Sequence, residues 1–426
     1  MIKSDLVISN CEQVLTLRGK IPRRGAELSD LGIIEKGWIS SLNGKINFIG
    51  KEKDFLKNVK ELRNCTFIDC KGKVCMPGFV DPHNHLPFGG TREDEFLMRL
   101  NGKSYQEIAE AGGGIKRTVT QTREISEKKL TELCIKRLTR MLESGTTTSE
   151  AKSGYGLNFK DEIKQLRIIK KLNNVHPLDL IPTFMGAHVI PDEYKDKREE
   201  YLSLLMNKLF PEVRERNLAR FFDVFCEENA FNLKETEELI KEAKKYGFLI
   251  RVHSDEFSSM GATELAIEEG AISVDHLINI KDETVDLLSK SNTTAILMPS
   301  VSFSLKLRRY APARKLIDRG AIVALGTDFN PGSSMNCSML FTIQLAVYEM
   351  DMKIEEAITA STVNSAYSLQ EETDVGSLEL NKKMDLLILD VPKYIHLVYQ
   401  LGLNPVEKVV KNGKLVFDRG LVKKTN

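Results

Sequence analysis

Short apolar runs rich in β-branched residues alternate with charged segments of helical period from residue 78 to about residue 369. This alternation is typical of βα units that build a parallel sheet. Eight such runs predict an α/β chain folded as a closed (β/α)8 barrel of the TIM type, whose catalytic residues come from the carboxyl ends of the strands. The runs span residues 75–81, 145–152, 178–188, 221–226, 247–253, 272–276, 293–299 and 321–328.

The competing α/β topology is an open doubly wound sheet. That fold normally carries a glycine-rich phosphate-binding loop directly after its first strand. The glycine run of this chain, Gly112-Gly113-Gly114, does not follow a strand in that way. The sequence therefore favours the closed barrel.

The two ends of the chain differ in pattern from the barrel segment, residues 78–369. Residues 1–77 and 370–426 contain short strand-like runs separated by turns, and Asn412-Gly413 between two such runs is a hairpin signal. Neither flank alone would bury much of a core. We therefore expect 1–77 and 370–426 to combine into one small, β-sandwich-like domain beside the barrel.

Composition excludes several classes of function. The net charge is +1, so nothing suggests nucleic acid as a partner. No apolar stretch is long enough to span a bilayer and no signal-peptide pattern is present, which predicts a cytoplasmic protein without membrane attachment. The seven cysteines include no Cys-x-x-Cys pair, so we expect reduced thiols, with Cys65, Cys70 and Cys75 acting as small hydrophobes. A homodimer is the expected assembly, because it is common among enzymes of this kind.

The first run leads directly into a histidine pair, His83 and His85. Side chains alternate with period two along a strand, so both imidazoles lie on the same side of the chain. Two neutral nitrogen ligands at one strand end make half of a zinc- or iron-type site. Of the other five histidines, His176 and His396 do not mark strand ends and are expected to be surface or structural residues.

Polar side chains also mark the ends of four later runs. His188 ends the third run, His253 the fifth, His276 the sixth and Asp328 the eighth. Any one of these histidines alone could be a hydrogen-bonded core residue. Because the carboxyl ends of barrel strands meet at one face, their shared position predicts a single site.

A catalytic metal site needs three or four protein ligands and one open position for water. His83, His85, His253 and Asp328 meet that requirement. A metal ion held there would make water a nucleophile near neutral pH and polarise the carbonyl under attack.

Glu256 is the candidate proton carrier, because it follows His253 by three residues just past the strand end. It could take the proton of the water and pass it to the leaving nitrogen. The simpler interpretation of Glu256 is a solvated loop carboxylate, and spacing does not decide whether it or Asp328 takes the proton first. His276 and His188 are candidates for groups that support the ligands or stabilise an oxyanion.

Several longer motifs carry a family resemblance. They are Pro82-His83-Asn84-His85-Leu86, Phe88-Gly89-Gly90-Thr91-Arg92, Ala111-Gly112-Gly113-Gly114-Ile115, Lys152-Ser153-Gly154-Tyr155-Gly156-Leu157, Met185-Gly186-Ala187-His188 and Thr327-Asp328-Phe329-Asn330-Pro331-Gly332-Ser333-Ser334. The order of the candidate ligands along the strands resembles the amidohydrolase superfamily. Within it, these motifs resemble the imidazolonepropionases, hydrolases of histidine degradation, over nearly the whole chain.

The resemblance implies one zinc or iron ion and hydrolysis of the lactam bond of 4-imidazolone-5-propanoate to N-formimidoyl-L-glutamate. It carries metal binding onto His83, His85, His253 and Asp328, and water activation onto Glu256. Catalytic roles are therefore expected for Glu256, His276 and Asp328. Zinc and iron both accept three imidazoles and a carboxylate, so the sequence does not select the metal.

The resemblance also implies a set of substrate-binding residues. A propanoate needs a cation, and Arg92 suits bidentate binding of a carboxylate, although an ion pair with Glu93 or Asp94 is the plain alternative. The loop 330–333 could supply an amide and backbone N–H groups to the carboxylate that forms when the ring opens. The full set is Arg92, Tyr105, Tyr155, His188, Glu256, Asn330, Gly332 and Ser333.

Three alternatives remain open at this stage. Another mononuclear amidohydrolase, such as a nucleobase deaminase, would use the same metal-assisted attack but would offer no carboxylate to Arg92 or Tyr155. A scaffold protein with a purely structural metal would not need Glu256. Cys226 or Glu227, at the end of the fourth run, could hold a second metal ion.

Overall fold

The computed structural model of the protein describes residues 2–103, 107 and 113–422. These residues form two eight-stranded sheets. The strands are β1 (Ile2–Leu15), β2 (Ile33–Leu42), β3 (Lys45–Lys51), β4 (Val59–Asp69), β5 (Val74–Pro77), β6 (Phe79–Asp81), β7 (Thr146–Lys152), β8 (Asp179–Ala187), β9 (Phe221–Phe225), β10 (Leu249–Ser254), β11 (Ser273–His276), β12 (Thr294–Leu297), β13 (Ile322–Leu325), β14 (Leu386–Leu389), β15 (Val406–Lys411) and β16 (Lys414–Asp418).

Helices fill most of the connections between the strands. Across residues 2–103, 107 and 113–422, no helix is both long and apolar enough to cross a membrane. The helices are α1 (Glu52–Asn58), α2 (Glu93–Leu100), α3 (Ile115–Glu124), α4 (Glu127–Glu143), α5 (Phe159–Val175), α6 (Arg198–Leu204), α7 (Phe210–Glu215), α8 (Leu233–Lys245), α9 (Ala262–Glu268), α10 (Asp282–Lys290), α11 (Pro299–Leu305), α12 (Ala313–Asp318), α13 (Met339–Glu349), α14 (Ile354–Ala360), α15 (Val363–Ser368), α16 (His396–Tyr399) and α17 (Arg419–Val422). Short 3-10 helices span Gly25–Ser29 and Asp192–Tyr194, and a π-helical turn, Leu205–Leu209, joins α6 to α7.

Strands β6 to β13 form a parallel sheet in which neighbours along the chain are neighbours in space. This order confirms the predicted (β/α)8 barrel. Its first and last strands meet through the residues that follow them, because the Asp328 amide donates to the His83 carbonyl at 3.0 Å and the His85 amide to the Phe329 carbonyl at 3.2 Å. The seam that closes the barrel therefore also carries three of the candidate ligands.

One predicted strand, residues 75–81, is two strands in the structure. Val74–Pro77 belongs to the sheet of the flanks, whereas Phe79–Asp81 is the first barrel strand. Gly78 lies between them, and a Cβ built there would overlap the side chain of Thr147. The chain changes sheets at a position where only glycine fits against the neighbouring barrel strand.

Local sequence explains where the long helices begin. The Asn158 side chain accepts the Asp161 amide at the start of α5, and Asn232 accepts the Glu235 amide at the start of α8. Asparagine at these positions satisfies an amide that the first helical turn leaves unpaired. The apolar face of each helix then packs onto the outside of the barrel, which leaves the barrel interior to the strands.

The flanks form the second sheet, ordered β16-β15-β14-β5-β1-β2-β3, with β4 paired to β1. Ile46 of β3 and Val410 of β15 are far apart in this order, yet they share one buried cluster. The sheet therefore folds over to enclose this cluster, which agrees with the predicted sandwich-like shape. The boundaries 1–77, 370–426 and 78–369 stay predictions.

The predicted hairpin signal at Asn412-Gly413 is confirmed. Lys411 pairs with Lys414 across the turn, so the loop has two residues. Asn412 has φ 49° and Gly413 φ 70°, which is the geometry of a type I′ turn.

Candidate active site

Four side chains meet at the carboxyl end of the barrel, and they are the four predicted metal ligands. His85 Nε2 lies 3.3 Å from both His83 Nε2 and His253 Nε2. Asp328 Oδ1 lies 3.2 Å from His85 Nε2 and 3.4 Å from His83 Nε2. Ligand atoms about 2.0–2.1 Å from a tetrahedral metal are separated by about 3.3 Å, so the cluster matches a tetrahedral site.

The chemistry of this donor set also fits a metal ion. All four side chains are buried, and Asp328 Oδ1 has no hydrogen-bond partner among the described residues. A buried carboxylate oxygen without a donor is costly unless a cation satisfies it. His83, His85 and His253 form one of the described groups of side chains able to hold a metal ion.

Two carboxylates contact the Nδ1 atoms of two of the predicted ligand histidines, on the side of each ring away from the cluster. His83 Nδ1 lies 2.6 Å from Asp275 Oδ2, and His253 Nδ1 lies 3.0 Å from Asp223 Oδ1. Burial opposes ionisation of both aspartates, but the neighbouring cations and imidazoles lower the pKa of each. An ionised carboxylate accepts the Nδ1 proton and leaves Nε2 free for a metal, which is the usual arrangement of metal-ligating histidine.

Sequence reasoning missed Asp223, Asp275 and the charged group beneath them. Glu150, Lys152 and Arg251 are also fully buried and contact these aspartates or one another. The sequence did contain a sign of this group, because polar or charged residues stand two apart within predicted strands. Glu150 and Lys152 do so on one strand, and Arg251 and His253 on another. Side chains at such spacing share a face, here the barrel interior.

Glu256 and His276 lie beside the ligands in the predicted relation. Glu256 is 7% exposed, and its Oε2 is 3.6 Å from His276 Nε2. Burial and the nearby charges of Asp328 and Glu227 raise the pKa of Glu256 well above its usual value. Burial lowers the pKa of His276, whose two ring nitrogens have no hydrogen-bond partner among the described residues. The arrangement offers an acid/base group and a neutral imidazole at the same point.

Backbone strain accompanies these positions. His276 has φ 85° and Asp328 has φ 50°, values that non-glycine residues seldom adopt. Such conformations persist only where surrounding contacts hold them, and they concentrate at functional sites. Asp81 supplies one of these contacts by accepting the Thr327 amide at 3.0 Å and the Thr327 hydroxyl at 2.6 Å.

A cavity of about 1020 Å³ opens above the cluster. It is large enough for a small substrate and brings most of the predicted site residues together. Tyr105 lies outside the described residues. The predicted residues that line the cavity are His85, Arg92, Tyr155, His188, His253, Glu256, His276, Asp328, Asn330, Gly332 and Ser333.

Arg92 forms an ion pair with Glu95. The alternative considered from the sequence was a pair with Glu93 or Asp94. Its Nε donates to Glu95 Oε2 at 2.8 Å, and Nη2 lies 2.6 Å from the same oxygen. The third nitrogen, Nη1, approaches Gly332 so closely that a Cβ there would overlap it. Gly332 therefore makes room for the guanidinium at the cavity wall.

The loop 330–333 uses its own polar groups. The backbone amides of Gly332 and Ser333 donate to Asn330 Oδ1 at 2.7 and 2.9 Å. The Ser333 hydroxyl donates to Asp328 Oδ2 at 3.1 Å. In this structure the two amides predicted to face a carboxylate are therefore turned toward Asn330, and the loop braces the Asp328 ligand.

Tyr155 and His188 lie together in the cavity wall, beside His85. His188 stacks on His85 with ring centroids 5.2 Å apart, and its Nδ1 donates to the Gly154 carbonyl at 2.9 Å. Burial lowers the pKa of His188 to about 4, so the ring is neutral and its Nε2 is an acceptor. The Glu162 carboxylate, which sequence reasoning missed, holds this wall by accepting the amides of Gly154, Gly156 and Leu157.

Cys226 and Glu227 were the candidates for a second metal ion. Glu227 instead accepts the amides of Phe257 and Ser258 at 3.0 and 3.1 Å, which anchors the loop that begins at Glu256. Within residues 2–103, 107 and 113–422, neither Cys226 nor Glu227 belongs to a group of side chains able to hold a metal.

Comparison with known proteins identifies close relatives. A family model described as the amidohydrolase family matches residues 74–416. A protein named imidazolonepropionase from Symbiobacterium thermophilum is 44% identical over 421 residues, which cover 99% of each chain. The imidazolonepropionase from Clostridium tetani is 42% identical, and the match covers 98% of this chain and 100% of that one. The imidazolonepropionase from Geobacillus kaustophilus is 43% identical, and the match covers 98% of this chain and 99% of that one.

Solved structures with the same fold are more distant in sequence. Guanine deaminase from E. coli superposes with a TM-score of 0.73 at 16% identity, covering 97% of this chain and 99% of that one. An adenosine deaminase from Xanthomonas campestris with bound zinc gives a TM-score of 0.68 at 17% identity, covering 97% and 93%. At such identities the likeness concerns the fold.

Proposed function

The chain belongs to the amidohydrolase family and, within it, to the imidazolonepropionases, and from that membership we propose how its barrel cavity works. The reaction is hydrolysis of the lactam bond of 4-imidazolone-5-propanoate, which yields N-formimidoyl-L-glutamate. The observation that carries the proposal is the convergence of a tetrahedral donor cluster, Glu256 and Arg92 on one cavity.

We propose that His83, His85, His253 and Asp328 hold one zinc or iron ion. When bound, the ion supplies Lewis acidity, which polarises a carbonyl and lowers the pKa of water. The side chains contribute three neutral nitrogens and one charged oxygen, a set that both metals accept. Support comes from the separations of about 3.3 Å and from the unpartnered Asp328 oxygen.

Glu256 acts on protons in this proposal. Its raised pKa makes the carboxylate a stronger base than a solvated glutamate, and burial keeps it oriented toward the ligands. It takes the proton of the attacking water and delivers it to the ring nitrogen, which leaves as the amidine nitrogen of the product. His276 stays neutral and stabilises the negative charge that develops on the carbonyl oxygen.

Arg92, Tyr155, His188 and the loop 330–333 orient the substrate, with Tyr105 as a further proposed contact. The guanidinium of Arg92 holds the propanoate. Glu95 fixes its Nε and Nη2, and Nη1, which lies beside Gly332 in the cavity wall, binds the substrate carboxylate. The neutral His188 ring accepts a ring N–H of the substrate through Nε2. Orientation of this kind keeps the ring carbonyl above the ligand cluster.

We further propose a cytoplasmic homodimer, which is the common form of metabolic enzymes with this architecture. Light scattering of the purified protein tests the assembly. A mass of about twice 48.1 kDa supports the dimer, and a monomer mass refutes it.

The decisive test follows the ultraviolet absorbance of freshly prepared 4-imidazolone-5-propanoate. Metal-assayed wild-type protein is compared with a His253→Ala variant and with spontaneous decay of the substrate. Accelerated loss that needs metal and yields formimidoylglutamate supports substrate, reaction and site together. No acceleration by metal-replete protein refutes the substrate, and release of ammonia from a nucleobase would then identify a deaminase.

A further inference from the structure

We propose that Lys152 is a positioning residue, which aligns two metal-ligating histidines by holding the carboxylates that orient their rings. This inference rests on the proposed metal site but not on the identity of the substrate. Lys152 belongs to the Lys-Ser-Gly-Tyr-Gly motif, and it has no role in the proposed mechanism.

The geometry of the contacts forms two chains that start at one ammonium group. Lys152 Nζ lies 2.5 Å from Asp223 Oδ2, and the other oxygen of Asp223 contacts His253 Nδ1 at 3.0 Å. Lys152 Nζ also lies 3.8 Å from Asp275 Oδ2, which contacts His83 Nδ1 at 2.6 Å. The rings of His253 and His83 are therefore each connected to Lys152 through a single carboxylate.

The backbone of Lys152 reaches the same ligands by another route. Its amide donates to the carbonyl of Asn84 at 2.9 Å, and Asn84 stands between the ligands His83 and His85. Strand β7, whose last residue is Lys152, thus contacts the histidine segment from the main chain and from the side chain.

Burial makes the ammonium group necessary. Lys152, Asp223 and Asp275 are all fully buried, so an unpaired carboxylate here would be strongly disfavoured. Glu150 and Arg251 complete the group: Glu150 Oε2 lies 2.7 Å from Lys152 Nζ, and its Oε1 lies 3.0 Å from Arg251 Nε. Without Lys152 three carboxylates would share one cation, and Asp223 would lose the contact at 2.5 Å that holds its side chain in place.

The three carboxylates and two cations also leave one formal negative charge behind the ligand rings. Such a charge raises the basicity of imidazoles that donate their Nδ1 proton to it, and this favours a metal cation at Nε2. Loss of Lys152 would raise this negative charge to two, which by itself favours a cation, so weaker metal binding in its absence reports lost orientation of the rings.

The test measures metal affinity instead of turnover. Lys152→Met keeps most of the side-chain volume, and its zinc dissociation constant is obtained by competition with a chromophoric chelator. We expect binding about 10–100-fold weaker than in the wild type, the usual effect of losing a group that supports a metal ligand. An affinity within twofold of the wild type overturns the proposal.

Lys411→Met is the matched control, because Lys411 is also buried and pairs with two carboxylates, Asp179 at 2.7 Å and Asp385. These partners lie outside the cavity. We expect Lys411→Met to lower the unfolding temperature while zinc affinity stays the same. An equal loss of zinc affinity in both variants would show that Lys152 acts only through general stability.

A double-mutant cycle tests the route of the effect. If Lys152 acts through Asp223, then Lys152→Met adds little to the loss of zinc affinity in Asp223→Asn, whereas additive losses would exclude that route. If Lys152→Met does not fold, Lys152→Gln replaces it in the same cycle, because the amide still donates one hydrogen bond to Asp223. Since zinc affinity is the readout, the result stands even if the substrate assignment fails.

Discussion

The interiors of the barrel and of the flank sheet are both closed to solvent, yet their chemistry is opposite. The barrel encloses Glu150, Lys152 and Arg251 with no exposed surface, together with two aspartates. The folded-over sheet instead encloses Ile8, Ile388 and other apolar side chains. Buried charge is costly unless it is paired, as Lys411 is with Asp385 in the flank sheet, so a group of five buried charges in the barrel calls for a functional account. We propose that the buried charges of the barrel orient the rings of His83 and His253, two of the proposed metal ligands.

The contrast extends to what each interior contributes. Three thiols, Cys11, Cys70 and Cys75, lie in the sheet core, where Cys11 Sγ is 3.2 Å from Cys75 Sγ. These three thiols are fully buried and also form a group of side chains able to hold a metal ion, whereas Cys65 is partly exposed. The sheet core should therefore supply stability, and the barrel centre should supply function. Four experiments test this division.

Removal of the metal should have the largest effect. Dialysis against a chelator is expected to reduce hydrolysis to the spontaneous rate, and zinc or iron(II) should restore it. The three histidines and Asp328 cannot replace the ion as a Lewis acid, because they are themselves electron-pair donors. The unfolding temperature should also fall, since binding at about 100 times the dissociation constant stabilises a protein by about 2.7 kcal/mol. Full activity in protein shown by elemental analysis to be metal-free would refute the assigned centre.

Glu256→Gln should lower kcat by about 10²–10⁴-fold, the usual contribution of a general acid/base. Metal content should not change, and the unfolding temperature should stay equal or rise, because a buried group that resists ionisation becomes a neutral amide. Because the pKa of Glu256 is raised well above its usual value of 4.5, wild-type kcat/KM should begin to fall above pH 4.5, as the base is protonated when pH drops through the raised pKa. Turnover near the wild-type rate in a metal-replete variant would assign the base elsewhere, with Asp328 the next candidate.

Ile388→Ala tests the flank sheet. Ile388 is fully buried in the sheet core, and truncation there should cost about 2–5 kcal/mol in the free energy of unfolding, measured in urea. We expect kcat per folded molecule to be unchanged, because the side chain lies in a different cluster from the barrel core. A matching fall in kcat would show that the sheet helps to shape the site.

Arg92→Lys should have the smallest effect of the four. A lysine keeps the charge but loses the planar fork, so KM is expected to rise about 10–100-fold while kcat changes little. Arg117→Lys is the matched control, since Arg117 forms an exposed ion pair with Asp94 and does not line the cavity. Equal KM values for Arg92→Lys and the wild type would remove Arg92 from propanoate binding.

Much of the site was readable from the chain because its residues follow strands. His83, His85, His253 and Asp328 come at the ends of apolar runs, and a barrel brings all strand ends to one face. The same rule placed Glu256 and His276 beside them. The roles assigned to individual residues, and Tyr105 among them, stay predictions.

The sequence did not show which polar groups would pair with one another. Arg92 pairs with Glu95 instead of its nearer neighbours, and Glu227 holds the loop after Glu256 instead of a second metal. The amides of the 330–333 loop are turned toward Asn330. Each outcome depends on where several segments pack, so spacing along one segment does not settle it.

By itself the sequence determined the order of the barrel strands, the joining of both flanks in one sheet and the polar side chains that meet at the carboxyl end of the barrel. Those features follow from hydrophobic period and turn chemistry, which are local. Only the tertiary structure decided that the run 75–81 divides at Gly78, and that Lys152, Asp223 and Asp275 stand behind the ligand rings. The reason is that charges on different strands become partners only when the barrel closes, and the low polarity around them then makes each pairing obligatory.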